Sequence, residues 1–265
     1  MTAPSDYMPA LLTPFTRAGE LDLRAHRHNL RTLAEHGITG FVIAGSTGQG
    51  PYLEPGERHR LVKAARRRKA HLMCGIAAET TRQGLAQLAE AEEAGADSVL
   101  VLTPTTIARD RHPAILRYYR TVADRATIPV FLYSVPSVTG YNLPVDLVAA
   151  LSRHDNIVGM KDSSGDVVRL QSILDATPRE FLLYSGASAA LTAAIAVGCH
   201  GAITGSGNYV PDLVLAALAA ARTDLEKARR LQKRLSRISR EVEAHGIPGV
   251  LAAARAAGLE PGFPR

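Results

Sequence analysis

Eight short apolar runs recur along the chain at roughly regular intervals, at 8–15, 40–48, 71–79, 97–104, 129–136, 156–164, 181–187 and 201–208. They are bounded by Gly, Pro or polar residues and are too short for typical helices. Amphipathic stretches at helical spacing lie between them. Those at 21–37 and 81–95 close on Gly37 and Gly95, which suit helix C-caps, and that at 144–154 opens on Pro144, which suits a first helical turn. A further helical stretch, 188–198, follows the seventh run. The apolar runs are continuous rather than alternating, which predicts strands buried on both faces, as in a parallel sheet. Eight such units predict an α/β fold, a (β/α)8 TIM barrel with additional C-terminal helices. A doubly wound sheet is the alternative. It ordinarily carries a glycine-rich turn after its first strand, and residues 11–19 contain no G-x-G-x-x-G. No linker breaks the pattern, so the barrel is expected over 1–224, with 225–265 as a helical appendage of the same domain.

The balance of 46% hydrophobic and 21% charged residues is that of a globular chain able to bury a core without staples. Cys74 and Cys199 are the only cysteines, which excludes a disulfide framework, and both sit in or beside apolar runs as small buried hydrophobes. The N-terminal residues have no basic segment followed by an apolar core, and no stretch reaches ~18 uncharged apolar residues. A cytoplasmic protein that neither enters nor crosses a membrane is expected. The net charge of +6 raises the question of nucleic acid. The dense basic runs, Arg66-Arg67-Arg68-Lys69 and those within 225–243, have helical spacing, however, and read as solvated faces. No nucleic-acid partner is expected. The nine histidines are scattered, with no H-E-x-x-H and no Cys/His cluster, so no metal site is expected.

In a barrel the chemistry lies at the C-terminal ends of the strands. Those ends are small, polar and glycine-rich here: Gly45-Ser46-Thr47-Gly48, Tyr133-Ser134-Val135-Pro136, Lys161-Asp162-Ser163-Ser164-Gly165, Ser185-Gly186 and Thr204-Gly205-Ser206-Gly207. Lys161 stands out. Of five lysines it alone follows a strand core, while Lys63, Lys69, Lys227 and Lys233 lie on charged helical faces. A lysine drawn into a barrel is desolvated, which disfavours the charged form, and a neutral amine attacks ketones. The alternative is a solvated strand-end lysine paired with Asp162. Tyr133 closes the preceding strand, where its phenol can stand beside Lys161 and move protons through a hydroxyl such as Ser46 or Thr47. The alternative there is an ordinary amphipathic tyrosine.

Gly45-Ser46-Thr47-Gly48, Tyr133-Ser134-Val135-Pro136-Ser137-Val138-Thr139-Gly140 and Gly159-Met160-Lys161-Asp162-Ser163-Ser164-Gly165, in that order, resemble the dihydrodipicolinate synthase / N-acetylneuraminate lyase family. The resemblance covers nearly the whole chain. It implies a class I, Schiff-base lyase or aldolase acting on 2-oxo acids, without a metal or organic cofactor, in a homo-oligomer, tetramer or dimer. Lys161 matches the imine-forming lysine and Tyr133 the proton-relay tyrosine. Ser46 and Thr47 match the hydroxyl pair, and Thr47 and Gly48 the hold on the substrate carboxylate. Gly186 and Ile203 match positions lining the pocket, Ser163 follows the lysine, and Val138 stands on the substrate side.

The departures bear on the branch. Dihydrodipicolinate synthases carry a tyrosine pair after the proline that ends strand 4, where this chain has Thr105-Thr106 after Pro104. They also carry an arginine for the distal carboxylate of the incoming semialdehyde, where this chain has Val138. Gln49 stands where many members have Glu. Tyr-Ser-Val-Pro, the run from Asn156 to Val167 and the closing His245-Gly246-Ile247-Pro248-Gly249 resemble the 4-hydroxy-2-oxoglutarate aldolase branch more closely, although Thr105-Thr106 departs from it too. Gly45-Ser46-Thr47-Gly48-Gln49-Gly50-Pro51 resembles 2-keto-3-deoxy sugar-acid aldolases. The expected function is therefore a class I aldolase making or breaking a C–C bond of a 2-oxo acid with an aldehyde, with pyruvate released or used. The alternatives are a dihydrodipicolinate (4-hydroxy-tetrahydrodipicolinate) synthase and a non-catalytic 2-oxo-acid-binding barrel.

Overall fold

The computed structural model describes residues 4–66, 70–106 and 108–265. Eight parallel strands follow the order β1-β8-β7-β6-β5-β4-β3-β2. They are β1 (Tyr7–Pro9), β2 (Gly40–Ile43), β3 (His71–Ile76), β4 (Ser98–Leu102), β5 (Val130–Ser134), β6 (Ile157–Asp162), β7 (Leu182–Ser185) and β8 (Gly201–Thr204). The ring closes where Ala10 bridges to Val42, with Leu11 N–H donating to Val42 O at 2.9 Å. This is the expected (β/α)8 barrel.

The continuous apolar runs make sense as strands with two buried faces. One face packs inside the barrel, with Met8, Val42, Met73, Leu100, Phe131, Tyr184 and Ile203 in a single cluster. The other face, including Phe41, Ile43, Leu72, Val99, Val101, Leu132 and Leu183, packs against the surrounding helices. Those helices are α1 (Leu23–Glu35), α2 (Glu57–Ala65), α3 (Thr81–Glu93), α4 (His112–Arg125), α5 (Pro136–Thr139), α6 (Val145–Leu151), α7 (Val167–Ala176), α8 (Leu191–Ala196), α9 (Pro211–Thr223), α10 (Leu225–Glu243) and α11 (Gly246–Ala256). Local chemistry sets their ends. The Asp22 and Thr80 side chains accept from Ala25 N–H (2.9 Å) and Gln83 N–H (3.2 Å) at the starts of α1 and α3. Gly37 and Gly95 take left-handed conformations (φ 86 in each) just beyond the ends of the same helices.

Several strands are shorter than the runs that predicted them. The second run, 40–48, leaves the sheet after Ile43 because Ala44 turns left-handed (φ 58), which frees Gly45–Gly48 as a loop. Of the first run, 8–15, only Met8 and Pro9 belong to the ladder with β8, which begins one residue earlier at Tyr7, and Leu12 N–H turns to the Asn208 side chain (3.2 Å). α9 follows β8 as the eighth barrel helix, and α10 and α11 lie beyond it. α10 buries Ala228, Leu235 and Ser239, and its basic residues lie outside that buried set. From the other basic run, Arg66 reaches the buried carboxylate of Asp97 at 2.7 Å, while residues 67–69 lie outside the described residues. Cys74 and Cys199 are both buried and free, and burial pushes each thiol up to about 12. No helix of the described residues is long and apolar enough to cross a membrane.

Candidate active site

A one-residue irregularity in the sheet sets up the site. β5 and β6 start in register with Val130 opposite Ile157. The register then shifts, so that Phe131 faces Gly159 and Val158 is the extra residue. From there Tyr133 partners Lys161, and Lys161 partners Tyr184 of β7. Side chains of direct partners on parallel neighbours leave the same face about 4.8 Å apart. Without the bulge, Tyr133 would sit opposite Met160, which packs on the helix side of the sheet. The bulge thus aims Tyr133 and Lys161 into the barrel mouth together.

Lys161 is 5% exposed, and its Nζ donates to Tyr133 Oη at 3.4 Å and lies 4.5 Å from the centroid of the Tyr133 ring. It does not pair with Asp162. The strand's alternation turns Asp162 to the opposite face, where it is fully buried and accepts from Arg169 Nε at 2.8 Å and from Ser164 N–H at 2.9 Å. The solvated ion-pair reading of Lys161 is therefore excluded by geometry. Gly186 completes this wall. A Cβ there would stand 1.9 Å from Ser163 Oγ and 2.9 Å from Lys161 Cε, so only glycine leaves the lysine its path.

Lys161 and Tyr133 open onto a cavity of about 630 Å³, a volume suited to a small ligand. Of the residues singled out in the sequence, Ser46, Thr47, Tyr133, Val138, Lys161, Ser163 and Gly186 line it. Two do not. Ile203 is fully buried in the barrel interior with Phe131 and Met73, and Gly48 is drawn away, its carbonyl accepting from Thr13 Oγ1 at 2.6 Å and its Cα facing Leu11 O. Among the described residues the hydrogen-bond partner of Tyr133 Oη is Lys161, not Ser46 or Thr47. Such contacts commonly tighten only when substrate is bound.

Sequence reasoning missed a second wall of the cavity, made by Glu243 at the end of α10, Gly246, Ile247 and Val250 of α11, and Pro264 and Arg265 beyond it. Gln49 and Tyr52 add to the rim. Gln49 is left-handed (φ 54), and its Oε1 accepts from Arg265 N–H at 2.9 Å. The segment at Thr105-Thr106 is pinned instead of aromatic: both backbone N–H groups donate to the Glu79 carboxylate, at 3.1 and 2.9 Å. Tyr118 and Tyr119 pack in the core, edge to face at 5.5 Å, with Tyr119 Oη donating to Val101 O. Among the described residues no group of three or more His, Cys, Asp or Glu side chains is placed to hold a metal.

A buried lysine beside a phenol at the C-terminal mouth of a (β/α)8 barrel defines a class of protein, the Schiff-base lyases of class I. A model of the dihydrodipicolinate synthetase family matches residues 3–262, and the chain belongs to that family. Its members act through a lysine imine with a 2-oxo acid and use no metal or organic cofactor. Among relatives, the chain is 33% identical over 252 residues to a 4-hydroxy-tetrahydrodipicolinate synthase of Methanosarcina acetivorans, covering 93% of this chain and 86% of the relative. Among solved structures, it resembles dihydrodipicolinate synthase from Bacillus anthracis (TM-score 0.93, 26% identity, 100% of this chain and 92% of that one). It also resembles the chloride-inhibited dihydrodipicolinate synthase from Acinetobacter baumannii complexed with pyruvate (TM-score 0.91, 26% identity, 97% and 90%). The names of these relatives favour the synthase, held as an alternative in the sequence, over the 4-hydroxy-2-oxoglutarate aldolase branch.

Proposed function

We propose that the chain holds pyruvate as an imine on Lys161 and joins it to an aldehyde. The observation that carries this is the buried Lys161 amine within reach of the Tyr133 phenol in one cavity. The amine attacks the ketone carbon, water leaves and a C=N bond forms. The protonated imine withdraws electrons, so a proton leaves C3 and an enamine results. C3 then attacks the aldehyde carbon, and the aldehyde oxygen takes a proton, delivered by Tyr133, to become a hydroxyl. Hydrolysis of the imine, or its displacement by an amine of the acceptor, returns Lys161. Run backwards, the same steps cleave the C3–C4 bond. Ser46, Thr47 and Ser163 line the same cavity as Lys161, which supports a role in holding the pyruvate carboxylate.

For the overall reaction, the names of the relatives support 4-hydroxy-tetrahydrodipicolinate synthase chemistry with pyruvate as donor. A second reading, an aldolase of the 2-keto-3-deoxy sugar-acid type, is favoured by one observation: Val138, an uncharged side chain 65% exposed, lines the cavity. Borohydride reduction in the presence of pyruvate, followed by peptide mass spectrometry, tests the shared core. The expected result is a reduced pyruvate adduct on Lys161. Protein left unmodified under conditions where it is folded would overturn the proposal.

A further inference from the structure

The second wall, from α10, α11 and the residues beyond, has an unusual charge balance. Besides Lys161, the only cation lining the cavity among the described residues is Arg265. Its guanidinium has no N–H left for a ligand. Nε donates to Gly19 O at 2.9 Å, Nη1 to Tyr52 O (2.9 Å) and Glu57 (2.5 Å), and Nη2 to Glu57 (2.9 Å) and again to Gly19 O. The group is also stacked 4.3 Å from the centre of the Phe15 ring. Its charge is matched by Glu57 outside the site.

The anion on this wall is Glu243. Its Oε1 accepts from Ser188 Oγ at 3.0 Å and from Tyr209 Oη at 3.1 Å. Ser188 Oγ also meets Ser206 Oγ (3.0 Å), which meets Thr204 Oγ1 (2.8 Å), so the carboxylate is anchored to the loops after β7 and β8. Burial, reinforced by Glu243 itself, holds the Tyr209 phenol far above its usual value, which keeps it a donor to this oxygen. Glu243 is an exposed residue, and its Oε2 makes no hydrogen bond among the described residues. Val138, Ile247, Val250 and Pro264, which line the same cavity, are apolar.

We propose that Glu243 selects the second substrate: the cavity takes an aldehyde with no net negative charge that brings an O–H or N–H donor to this carboxylate. The inference rests on the imine at Lys161. The acceptor meets the enamine, whose nitrogen is neutral, so beside the pyruvate carboxylate and Glu243 the site has no spare cation to offset a charge of the acceptor's own. A hydroxyaldehyde or a zwitterionic aminoaldehyde gains a hydrogen bond there, whereas an aldehyde whose only charged group is a carboxylate meets a like charge. Because Glu243 stands at the open mouth, solvent and salt hold the discrimination to about tenfold.

Glycolaldehyde and glyoxylate test this, being two-carbon aldehydes that differ in a hydroxymethyl against a carboxylate. Exchange of the pyruvate methyl protons in deuterated water, followed by NMR, first reports imine and enamine formation without any acceptor. Its absence would overturn the Lys161 reading rather than this one. With exchange present, kcat/KM for glycolaldehyde is expected to exceed that for glyoxylate by about tenfold. Glu243→Gln is expected to bring the two close to parity. Glyoxylate equal to or better than glycolaldehyde in the unaltered protein, or an unchanged ratio in a folded Glu243→Gln, overturns the proposal. Should Glu243→Gln fail to fold, Val138→Arg, at an exposed lining position, is expected to raise kcat/KM for glyoxylate several-fold, and no gain overturns the proposal as well.

Discussion

On the wall formed by β5, β6 and β7, Tyr133 and Lys161 stand together because adjacent strands place them in register. On a second wall of the cavity Glu243, Ile247 and Arg265 come from the end of α10, from α11 and from the residues beyond, far along the chain from Lys161. The first wall is ladder geometry, rigid and repeated. The second is tertiary packing, held by side-chain bonds such as Glu243 to Ser188 and Arg265 to Glu57. In the proposed function the ladder wall carries the imine chemistry and the packed wall meets the second substrate. Disturbing the ladder wall should therefore remove the chemistry, whereas disturbing the packed wall should change how the second substrate binds.

The largest effect is expected from Lys161→Ala. It should abolish borohydride trapping of pyruvate and reduce turnover to background, and residual activity well above background would break the comparison at its centre. Tyr133→Phe removes the phenol but keeps the ring beside the lysine. It should still allow trapping while slowing turnover by about 10²–10⁴-fold, the usual contribution of a positioned proton donor. Single-turnover measurement separates the two steps.

The same contrast explains what was legible in the sequence. Lys161, Tyr133 and Ser163 end apolar runs, and a strand's end in a barrel points to a mouth, so local pattern and topology together bring them to one place. The bulge at Val158 left no signal, since nothing in Ile157-Val158-Gly159 marks an extra residue, yet it decides that Tyr133 faces Lys161 and not Met160. The family resemblance alone places Ile203 on the cavity. Inside the barrel, though, the layer of large side chains lies below the mouth, and Ile203 belongs to that layer. Glu243 was unreadable for a different reason. It sits in a charged helix, LEKARRLQKRLSRISREVE, whose pattern says only that one face is solvated. Only the fold shows that the last turn of this helix reaches the mouth.

Gly186→Ala sharpens the comparison because it alters the ladder wall without removing a reactive group. The added Cβ would meet Ser163 Oγ and Lys161 Cε at distances where one of them must move. A displacement of the amine near 1 Å should cost about 10²-fold in kcat/KM for any acceptor. Arg265→Ala works on the packed wall. It removes the ion pair to Glu57, the contact with Phe15 and the bond to Tyr52 O. The expected outcome is a rise of several-fold in KM for the acceptor, larger than the change in KM for pyruvate. A greater loss in the pyruvate step would mean that the two walls are not separable.

His26 lies outside both walls and provides the smallest effect on catalysis, with a measurable effect on stability. It sits on the buried face of α1 at 1% exposure, and burial lowers its pKa from 6.5 to about 4. In the unfolded chain the ring takes up a proton as pH falls through about 6.5, while in the native fold it stays neutral until about 4. Between those values the unfolded state holds the extra proton, so stability falls on acidification, by about 3 kcal/mol in total if the shift is fully realised. Below about 4 this contribution levels off. His26→Leu, close in size and unable to titrate, should flatten the midpoint of denaturant unfolding between pH 6.5 and 4 relative to the unaltered protein while leaving kcat/KM at pH 7.5 unchanged. An equally steep loss of stability in His26→Leu would assign the acid sensitivity to other groups. A change in kcat/KM would show that the outer helical layer is coupled to the mouth, against the separation of scaffold from site that the two walls imply.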